Sequence, residues 1–168
     1  MTTQLDASVQ SSPTTAHFER IRKMMFVAGQ GTPSQPTVPD EPTALLRARI
    51  ILEEALEAVD ALGVTASFIP GMTNSPVLEL KKNIRLEFDH EPDLVAIADA
   101  CADISVVTIG TLVTCGIPDN GLLELVDNNN MTKFKDGVLK DANGKFLKPD
   151  GWEPPNIEQF LKTVVPLE

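Results

Sequence analysis

Tyrosine is absent from this chain of 168 residues, and aromatic residues make up only 5% of it. So few large rings favour aliphatic packing between helices over the core of a β-sandwich. Basic residues are also scarce, since 14 Lys and Arg stand against 24 Asp and Glu, for a net charge of −10. This balance argues against DNA or RNA as the main partner, although divalent cations can bridge carboxylates to the phosphates of a nucleotide.

Cysteine and histidine are limited to two residues each, so no Cys/His cluster is available for zinc. Cys101 and Cys115 fall on one predicted helix, roughly 21 Å apart, which is too far for a disulfide and fits a reducing cytoplasm. Residues 1–13 lack a basic-then-apolar signal pattern, and no apolar run free of charge reaches the ~18–20 residues of a membrane span. We therefore expect a soluble cytoplasmic protein without a membrane segment.

Two familiar catalytic motifs are missing. Gly144-Lys145 is followed by Phe146, so the chain has no Gly-x-x-x-x-Gly-Lys-Ser/Thr phosphate loop. It also has no Gly-x-Ser-x-Gly nucleophile turn. These absences leave little support for catalysis by a nucleophilic serine or cysteine.

Apolar residues recur at helical spacing and predict an all-α fold, a four-to-five-helix bundle with small hairpin and loop appendages. The expected helices are 14–29, 43–62, 93–115, 118–134 and 157–164. Apolar positions of the first helix are Phe18, Ile21, Met25 and Phe26. We expect residues 1–13 to be disordered and residues 14–165 to form a single domain. A loop with a small hairpin is expected between residues 64 and 93, and Asp141-Ala142-Asn143-Gly144 predicts a hairpin turn.

Asp99 and Asp103 are the only charged residues in the apolar stretch 94–118. Because they are four residues apart, both carboxylates leave the same face of the third helix. Val95, Val106 and Gly110 flank them, so we expect this face to point inward, where a carboxylate needs a cation or strong donors. A buried salt bridge to Arg47 or Arg49 is the structural alternative.

The second helix carries three more carboxylates, on Glu53, Glu54 and Glu57, in a stripe that borders its apolar face. The simpler explanation is that glutamate favours helices and that Arg49 pairs with Glu53 four residues on. Two acidic helix faces together nevertheless favour bound metal. Ligation by oxygen alone points to Mg²⁺, with Mn²⁺ as the other possibility.

Asn130 and Lys133 are three residues apart, so a helix presents an amide and an ammonium group in the same direction. Five of the 14 basic residues lie between Lys133 and Lys148, against Asp136 and Asp141. This local positive charge suits a polyphosphate. For Lys135 and Lys140 an ordinary solvated loop is the better interpretation.

With these residues the chain, from Phe18 to Ile157, resembles the all-α nucleoside triphosphate pyrophosphohydrolases, the MazG-like and phosphoribosyl-ATP pyrophosphohydrolase-like group. The resemblance rests on four segments: Glu53-Glu54-x-x-Glu57, the acidic pair of the third helix, Asn130-Met131-Thr132-Lys133, and the tail 141–155. The third helix departs from the usual Glu-x-x-Asp pattern. Ala100 stands three residues before Asp103, so Asp99 would have to take the place of the glutamate.

The resemblance implies cleavage of a nucleoside triphosphate (ribo or deoxy) to the monophosphate and pyrophosphate, by in-line attack of an activated water. It implies Mg²⁺ held by Glu54, Glu57, Asp99 and Asp103, with Glu53 as the catalytic base or an outer ligand. It further implies phosphate or sugar contacts from Asn130, Lys133, Lys145 and Lys148. First-helix residues such as Phe18 and Arg22 would line the base pocket.

Family members form homodimers or homotetramers, which would place the apolar third helix at a subunit interface or in the bundle core. Two alternatives remain. One is an activity on phosphoribosyl-ATP or another nucleotide, carried by the same helices. The other is a non-catalytic helical module, stapled by metal or salt bridges, in which loss of a carboxylate would destabilise the fold instead of abolishing turnover.

Overall fold

A computed structural model describes residues 13–69, 82–135, 137–142 and 144–167. The described residues form α1 (Ala16–Val27), α2 (Glu41–Ala61), β1 (Val64–Phe68), β2 (Ile84–Phe88), α3 (Leu94–Thr114), α4 (Asp119–Met131), a 3-10 turn (Thr132–Phe134) and α5 (Ile157–Thr163). The prediction of an all-α fold with a small hairpin appendage is confirmed.

Two compact units divide the described residues. We call residues 39–69 with 82–111 the middle unit, and residues 13–38 with 112–167 the terminal unit. The expectation of one domain over residues 14–165 stays a prediction, and the expected disorder of residues 1–13 falls, apart from Pro13, outside the described residues.

In the middle unit, α2 begins at a strong cap. The Asp40 carboxylate accepts a hydrogen bond from the Thr43 N–H at 3.0 Å. Hydrogen bonding to the side chain of Thr43, and to a smaller extent to its backbone, lowers the pKa of Asp40. The helix ends before Gly63, which has a φ of +75°. A Cβ at this position would lie 1.9 Å from the His90 carbonyl oxygen, so only glycine fits.

The expected hairpin is the antiparallel ribbon of β1 and β2, in which Val64 pairs with Phe88 and Ala66 with Leu86. The loop part of this prediction, residues 70–81, lies outside the described residues. The pairing puts six apolar side chains on one face of the ribbon: Val64, Ala66, Phe68, Ile84, Leu86 and Phe88. The Gly63 carbonyl accepts from the N–H groups of Asp89 and His90, at 2.8 and 3.2 Å, and closes the base of the ribbon.

The third helix starts where the Asp93 carboxylate accepts from the N–H groups of Val95 and Ala96. By length and composition alone, α3 could cross a membrane, and 17% of its most apolar window is buried. The expectation that its acidic face points inward is wrong for Asp99 and for Val95, which is 80% exposed, whereas Asp103 is half-buried. One companion helix and a two-stranded ribbon in this unit can cover only part of a 21-residue helix.

Of the four apolar positions of α1 in the terminal unit, Phe18, Ile21 and Met25 are buried, but Phe26 is 73% exposed. At about 100° per residue, Phe26 lies about 80° around the helix from Phe18, at the edge of the apolar stripe. Val113 and Leu167 are also buried in this unit.

The end of α3 is fixed by Gly116, which has a φ of +64° and whose added Cβ would lie 2.1 Å from the Gln35 carbonyl oxygen. Cys115 follows the last residue of α3, and both Cys101 and Cys115 are free thiols. Further along, Lys140 and Phe146 form an antiparallel bridge around the predicted turn, of which residue 143 is outside the described residues.

Candidate functional site

The five predicted carboxylates all lie in the middle unit, on two helices. Glu53, Glu54 and Glu57 project from α2, and Asp99 and Asp103 project from α3. Glu54 and Asp103 are half-buried, and the other three are exposed. The structure therefore places the whole acidic set on one compact part of the chain.

Electrostatics link these five groups. The pKa of Glu54 is raised, first by loss of solvation and then by the negative charges of Glu57, Asp103, Glu53 and Asp99. Four charges can raise the pKa of one carboxyl group in this way only when all of them lie close to it. The two acidic helix faces thus form one region of excess negative charge.

Neither of the two ion pairs that would explain these carboxylates structurally is formed among the described residues. Within the residues that the structure describes, no ion pair joins Asp99 or Asp103 to a basic side chain, and none joins Arg49 to Glu53. Among the described residues, the negative charges of Asp99, Asp103 and Glu53 around Glu54 are therefore not offset by an ion pair.

The carboxylates do not form a closed metal cage. Across residues 13–69, 82–135, 137–142 and 144–167, no three Asp, Glu, His or Cys side chains are close enough to enclose an ion. Mg²⁺ does not require such a cage, because it keeps several waters and is commonly bound by one or two carboxylates together with substrate phosphates. The oxygen donors and their excess charge fit an ion of this kind.

A groove of about 500 Å³ lies beside the acidic set, lined by Leu56, Glu57, Asp60, Ala61, Ala96, Asp99 and Ala100. Asp60 was not among the predicted site residues. Its spacing could have identified it, because a residue three positions after Glu57 lies on the same face of α2. The groove therefore offers three carboxylates, from Glu57, Asp60 and Asp99.

Of the four predicted phosphate contacts, three meet in the terminal unit. The Lys133 ammonium donates to Asn130 Oδ1 at 2.7 Å, which agrees with the predicted shared direction of the two side chains. Lys133 Nζ lies 4.9 Å from the centre of the Trp152 ring, and Lys148 Nζ lies 4.6 Å from the same centre. Lys145 is exposed in the turn, and no described contact joins it to this group.

Trp152 is a central residue of this cluster that sequence reasoning missed as a site residue. Its indole N–H donates to Thr132 Oγ1 at 3.1 Å, next to the Asn129 carbonyl oxygen. Asn129 in turn donates from its side chain to the Glu153 carbonyl at 3.0 Å. These bonds hold the tail against the end of α4, so the cluster has a fixed frame.

The implied base pocket needs a correction. Phe18 has no exposed surface, because it lies in the core of the terminal unit, and so it cannot line a pocket. An open groove of about 330 Å³ lies instead on the outer side of α1, lined by Glu19, Arg22, Lys23, Phe26 and Thr32. Arg22 lines this groove together with Phe26, and its role at the base stays a prediction.

Comparison with known proteins gives two findings. The family model described as phosphoribosyl-ATP pyrophosphohydrolase matches residues 21–130, which include all five carboxylates and Asn130 but not Lys133, Lys145 or Lys148. The small ribosomal subunit protein uS2 of Methanoregula boonei is 36% identical over 87 residues, which are 52% of this chain and 36% of that protein. The chain thus spans about a third of the length of this curated relative.

Proposed function

Because this chain belongs to the phosphoribosyl-ATP pyrophosphohydrolase family, we propose that it hydrolyses a nucleoside triphosphate to the monophosphate and pyrophosphate with the help of Mg²⁺. Family membership supports pyrophosphohydrolase activity in general. The nucleoside triphosphate substrate and the dependence on Mg²⁺ go beyond family membership and are our proposal.

One observation carries the proposal. Loss of solvation raises the pKa of Glu54, four neighbouring carboxylates raise it further, and among the described residues no basic side chain pairs with Asp99 or Asp103. Folding has therefore gathered negative charge that is unfavourable unless a cation joins it. A divalent ion that also contacts phosphate oxygens would bring substrate and carboxylates together.

We assign the roles as follows. Glu54, Glu57, Asp99 and Asp103 would supply carboxylate oxygens to Mg²⁺, which when bound would add positive charge beside the phosphate oxygens. Glu53 is exposed beside them and takes the proton from the attacking water. The water oxygen forms the new bond to phosphorus, the anhydride bond between the α and β phosphates breaks, and its electron pair leaves with pyrophosphate.

The direct test is to incubate the purified chain with a panel of ribo- and deoxynucleoside triphosphates, and to assay pyrophosphate separately from inorganic phosphate. We expect pyrophosphate in Mg²⁺ or Mn²⁺ and none with chelator. Glu53→Gln and Glu54→Gln should abolish most turnover. Glu41→Gln, which removes a carboxylate from the first turn of the same helix, is the matched control.

A second candidate substrate is phosphoribosyl-ATP, which the description of the matching family favours. The same carboxylates would act on it, since it carries the same triphosphate. Turnover of phosphoribosyl-ATP without turnover of the panel would establish this alternative. The non-catalytic module predicts instead that Glu54→Gln lowers the melting temperature and that no nucleotide is cleaved.

We also propose that the chain forms a homodimer or homotetramer through the exposed apolar side of the middle unit. Leu52 of α2 and Leu94 of α3 are both largely exposed, and a second copy would cover them. Light scattering should give a multiple of the mass of one chain. Leu52→Glu should shift it toward one chain, whereas Val38→Glu, an exposed apolar residue of the terminal unit, should not.

A cytoplasmic location is part of the same proposal, because partner helices would then occupy the apolar surface of α3. In cell fractionation we expect the chain in the soluble fraction. Recovery with membranes would contradict this and would favour lipid contact by α3, the helix long and apolar enough to span a bilayer.

A further inference from the structure

The ribbon of β1 and β2 has an open edge. The two strands form one sheet, and among the described residues no third strand lies along the outer side of β2. All five residues of β2 are exposed. The strand contains no proline, and its pairing with β1 runs without a bulge. β2 therefore lacks two of the devices that usually keep an edge strand from pairing with another chain.

Hydrogen bonds at both ends of the ribbon show which backbone groups of β2 face outward. The Asp89 N–H donates to the Gly63 carbonyl, and the Ile69 N–H donates to the Asn83 carbonyl, both at 2.8 Å. Because hydrogen-bonded residues alternate with non-hydrogen-bonded ones along an antiparallel pair, the even-numbered residues of β2 turn their N–H and C=O groups away from β1. These residues are Ile84, Leu86 and Phe88.

The side chains at this edge also favour another strand. Leu86 and Phe88 are the most exposed large apolar residues of the ribbon, at 60% and 68%. A hairpin of two strands is only marginally stable by itself in water, and further strands or a helix against its apolar face stabilise it. A strand beside β2 would cover part of both side chains.

The sequence of β2 is complementary to itself. Its residues, Ile84-Arg85-Leu86-Glu87-Phe88, place a cation and an anion symmetrically about the central leucine. In an antiparallel pair of two β2 strands centred on Leu86, Arg85 of one copy lies opposite Glu87 of the other, and the two-fold symmetry repeats this ion pair. Leu86 then faces its own copy, and Ile84 faces Phe88. Every side chain of β2 thus has a compatible neighbour across the pair.

The two charged residues select this register. Moving the centre of the pair to Arg85 or to Glu87 would set two arginines or two glutamates opposite each other, which opposes pairing. Arg85 Nε and Glu87 Oε1 lie 3.2 Å apart on the polar face of β2, and both side chains are more than half exposed. A second copy would extend this ion pair into a group of four alternating charges.

We propose that two copies of this chain join through β2, in an antiparallel pair centred on Leu86 that unites their ribbons into one four-stranded sheet. Outward-facing backbone groups supply the hydrogen bonds, and Arg85 and Glu87 supply the specificity. The inference rests neither on the proposed reaction nor on the association proposed through Leu52 and Leu94. Both contacts together would give a tetramer.

Sedimentation velocity over a range of protein concentrations tests the proposal. It is measured for the wild type and for Leu52→Glu, in which association through α2 and α3 does not mask the ribbon. We expect two chains for Leu52→Glu at high concentration. They should separate on dilution, because strands of five residues bury less than the ~1,600 Å² of a standard interface.

Charge reversal at either position should weaken the pair. In the Leu52→Glu background, Arg85→Glu and Glu87→Arg each set like charges opposite each other and should raise the dissociation constant at least about tenfold. Arg20→Glu makes the same change of charge at an exposed position of α1 and should raise it less than about twofold.

An equimolar mixture of these two β2 variants is the decisive measurement. A strand with two glutamates then meets a strand with two arginines, so every charge again lies opposite its counterpart. We expect mixed dimers with an affinity close to that of the unreversed strand. Mixing would not restore an association that was lost because a variant failed to fold, and circular dichroism melts identify such a variant.

Leu86→Pro tests the backbone. The Leu86 N–H faces away from β1, so proline removes no hydrogen bond within the ribbon but blocks the centre of the proposed pair. Ala66→Pro is the matched control, because Ala66 lies opposite Leu86 and its N–H faces the other edge of the ribbon. We expect folded Leu86→Pro to lose the association and folded Ala66→Pro to keep it.

Three results would overturn the inference: one chain at every concentration for Leu52→Glu, unweakened association in both charge reversals, or no association in their mixture. The first of these, together with a dimeric wild type, would leave the contact through α2 and α3 as the one that operates. Two chains in both the wild type and Leu52→Glu, reduced to one by Arg85→Glu alone, would instead support the ribbon and refute the helix contact.

Discussion

Asp119 accepts two hydrogen bonds from Thr15, one from the backbone N–H at 2.8 Å and one from the hydroxyl at 2.5 Å. Asp119 is 1% exposed and begins α4, while Thr15 caps α1. The same hydroxyl oxygen accepts from the Phe18 N–H at 3.2 Å, so the first turn of α1 is held by a side chain 104 positions away. One carboxylate thus joins the starts of two helices within the terminal unit.

Removing the Asp119 carboxylate should lower the stability of the protein. We expect Asp119→Ala to lower the free energy of unfolding by about 2–3 kcal/mol, because it leaves two donors on Thr15 without their charged acceptor. Urea denaturation followed by circular dichroism measures the change. Asp127→Ala, on the exposed side of the same helix, should stay within about 0.5 kcal/mol of wild type. Equal losses in the two variants would contradict the assignment.

Local spacing accounts for what could be predicted from the sequence. The helices follow from their apolar period and their caps, and the bond between Lys133 and Asn130 follows from a separation of three residues on one helix face. Asp60 belongs to the same class, since its spacing from Glu57 was visible in the sequence.

What could not be predicted depends on the path of irregular segments or on a helix without a distinct polar face. Trp152 reaches Lys133 because the tail folds back onto the end of α4, and no periodicity encodes that return. In α3 nearly every position is apolar, so the pattern could not indicate that Val95 and Asp99 would be exposed.

Gly63 tests the turn between α2 and the ribbon. Gly63→Ala should destabilise the protein by about 2 kcal/mol or more, because it adds strain at positive φ and a Cβ that would overlap the His90 carbonyl. Gly29 is the control, with a φ of +74° and no atom within 4 Å of an added Cβ, so Gly29→Ala should cost only about 1 kcal/mol. Thermal and urea unfolding measure both. If Gly63→Ala and Gly29→Ala lowered the free energy of unfolding equally, the proposed overlap with the His90 carbonyl would be refuted.

The raised pKa of Glu54 leads us to expect that the stability of the protein depends on pH. Because its pKa is raised on folding, the folded state holds this proton more tightly than the unfolded state does. Stability contributed by the protonated form is complete below the ordinary pKa and is lost as pH rises through the raised value. Metal-free Glu54→Gln should therefore melt at a higher temperature than wild type at neutral pH, and the difference should shrink as pH falls through the raised pKa and be lost below the ordinary pKa.

Mg²⁺ should reverse that order. If the carboxylates bind Mg²⁺ as proposed, the ion should raise the melting temperature of the wild type, while Glu54→Gln would have one ligand fewer and should gain less. Melting curves with chelator and with added Mg²⁺ at neutral pH measure both effects. A lower melting temperature for the metal-free variant at neutral pH would favour the stapled-module alternative.

The departure from the family pattern on α3 leads to the last prediction. Ala100 occupies the place of the usual glutamate and is 6% exposed, whereas Asp99 is exposed and lines the groove with Glu57. Asp99→Asn should lower turnover by at least about tenfold and raise the Mg²⁺ concentration needed for half-maximal rate, with an unchanged melting curve or a more stable metal-free protein. Ala100→Glu would place a carboxylate where little water reaches it, so we expect it to destabilise the fold instead of replacing Asp99. The double variant Asp99→Ala with Ala100→Glu tests whether the metal-binding carboxylate must stand at position 99. Turnover close to that of the wild type would show that a carboxylate at position 100 can take its place.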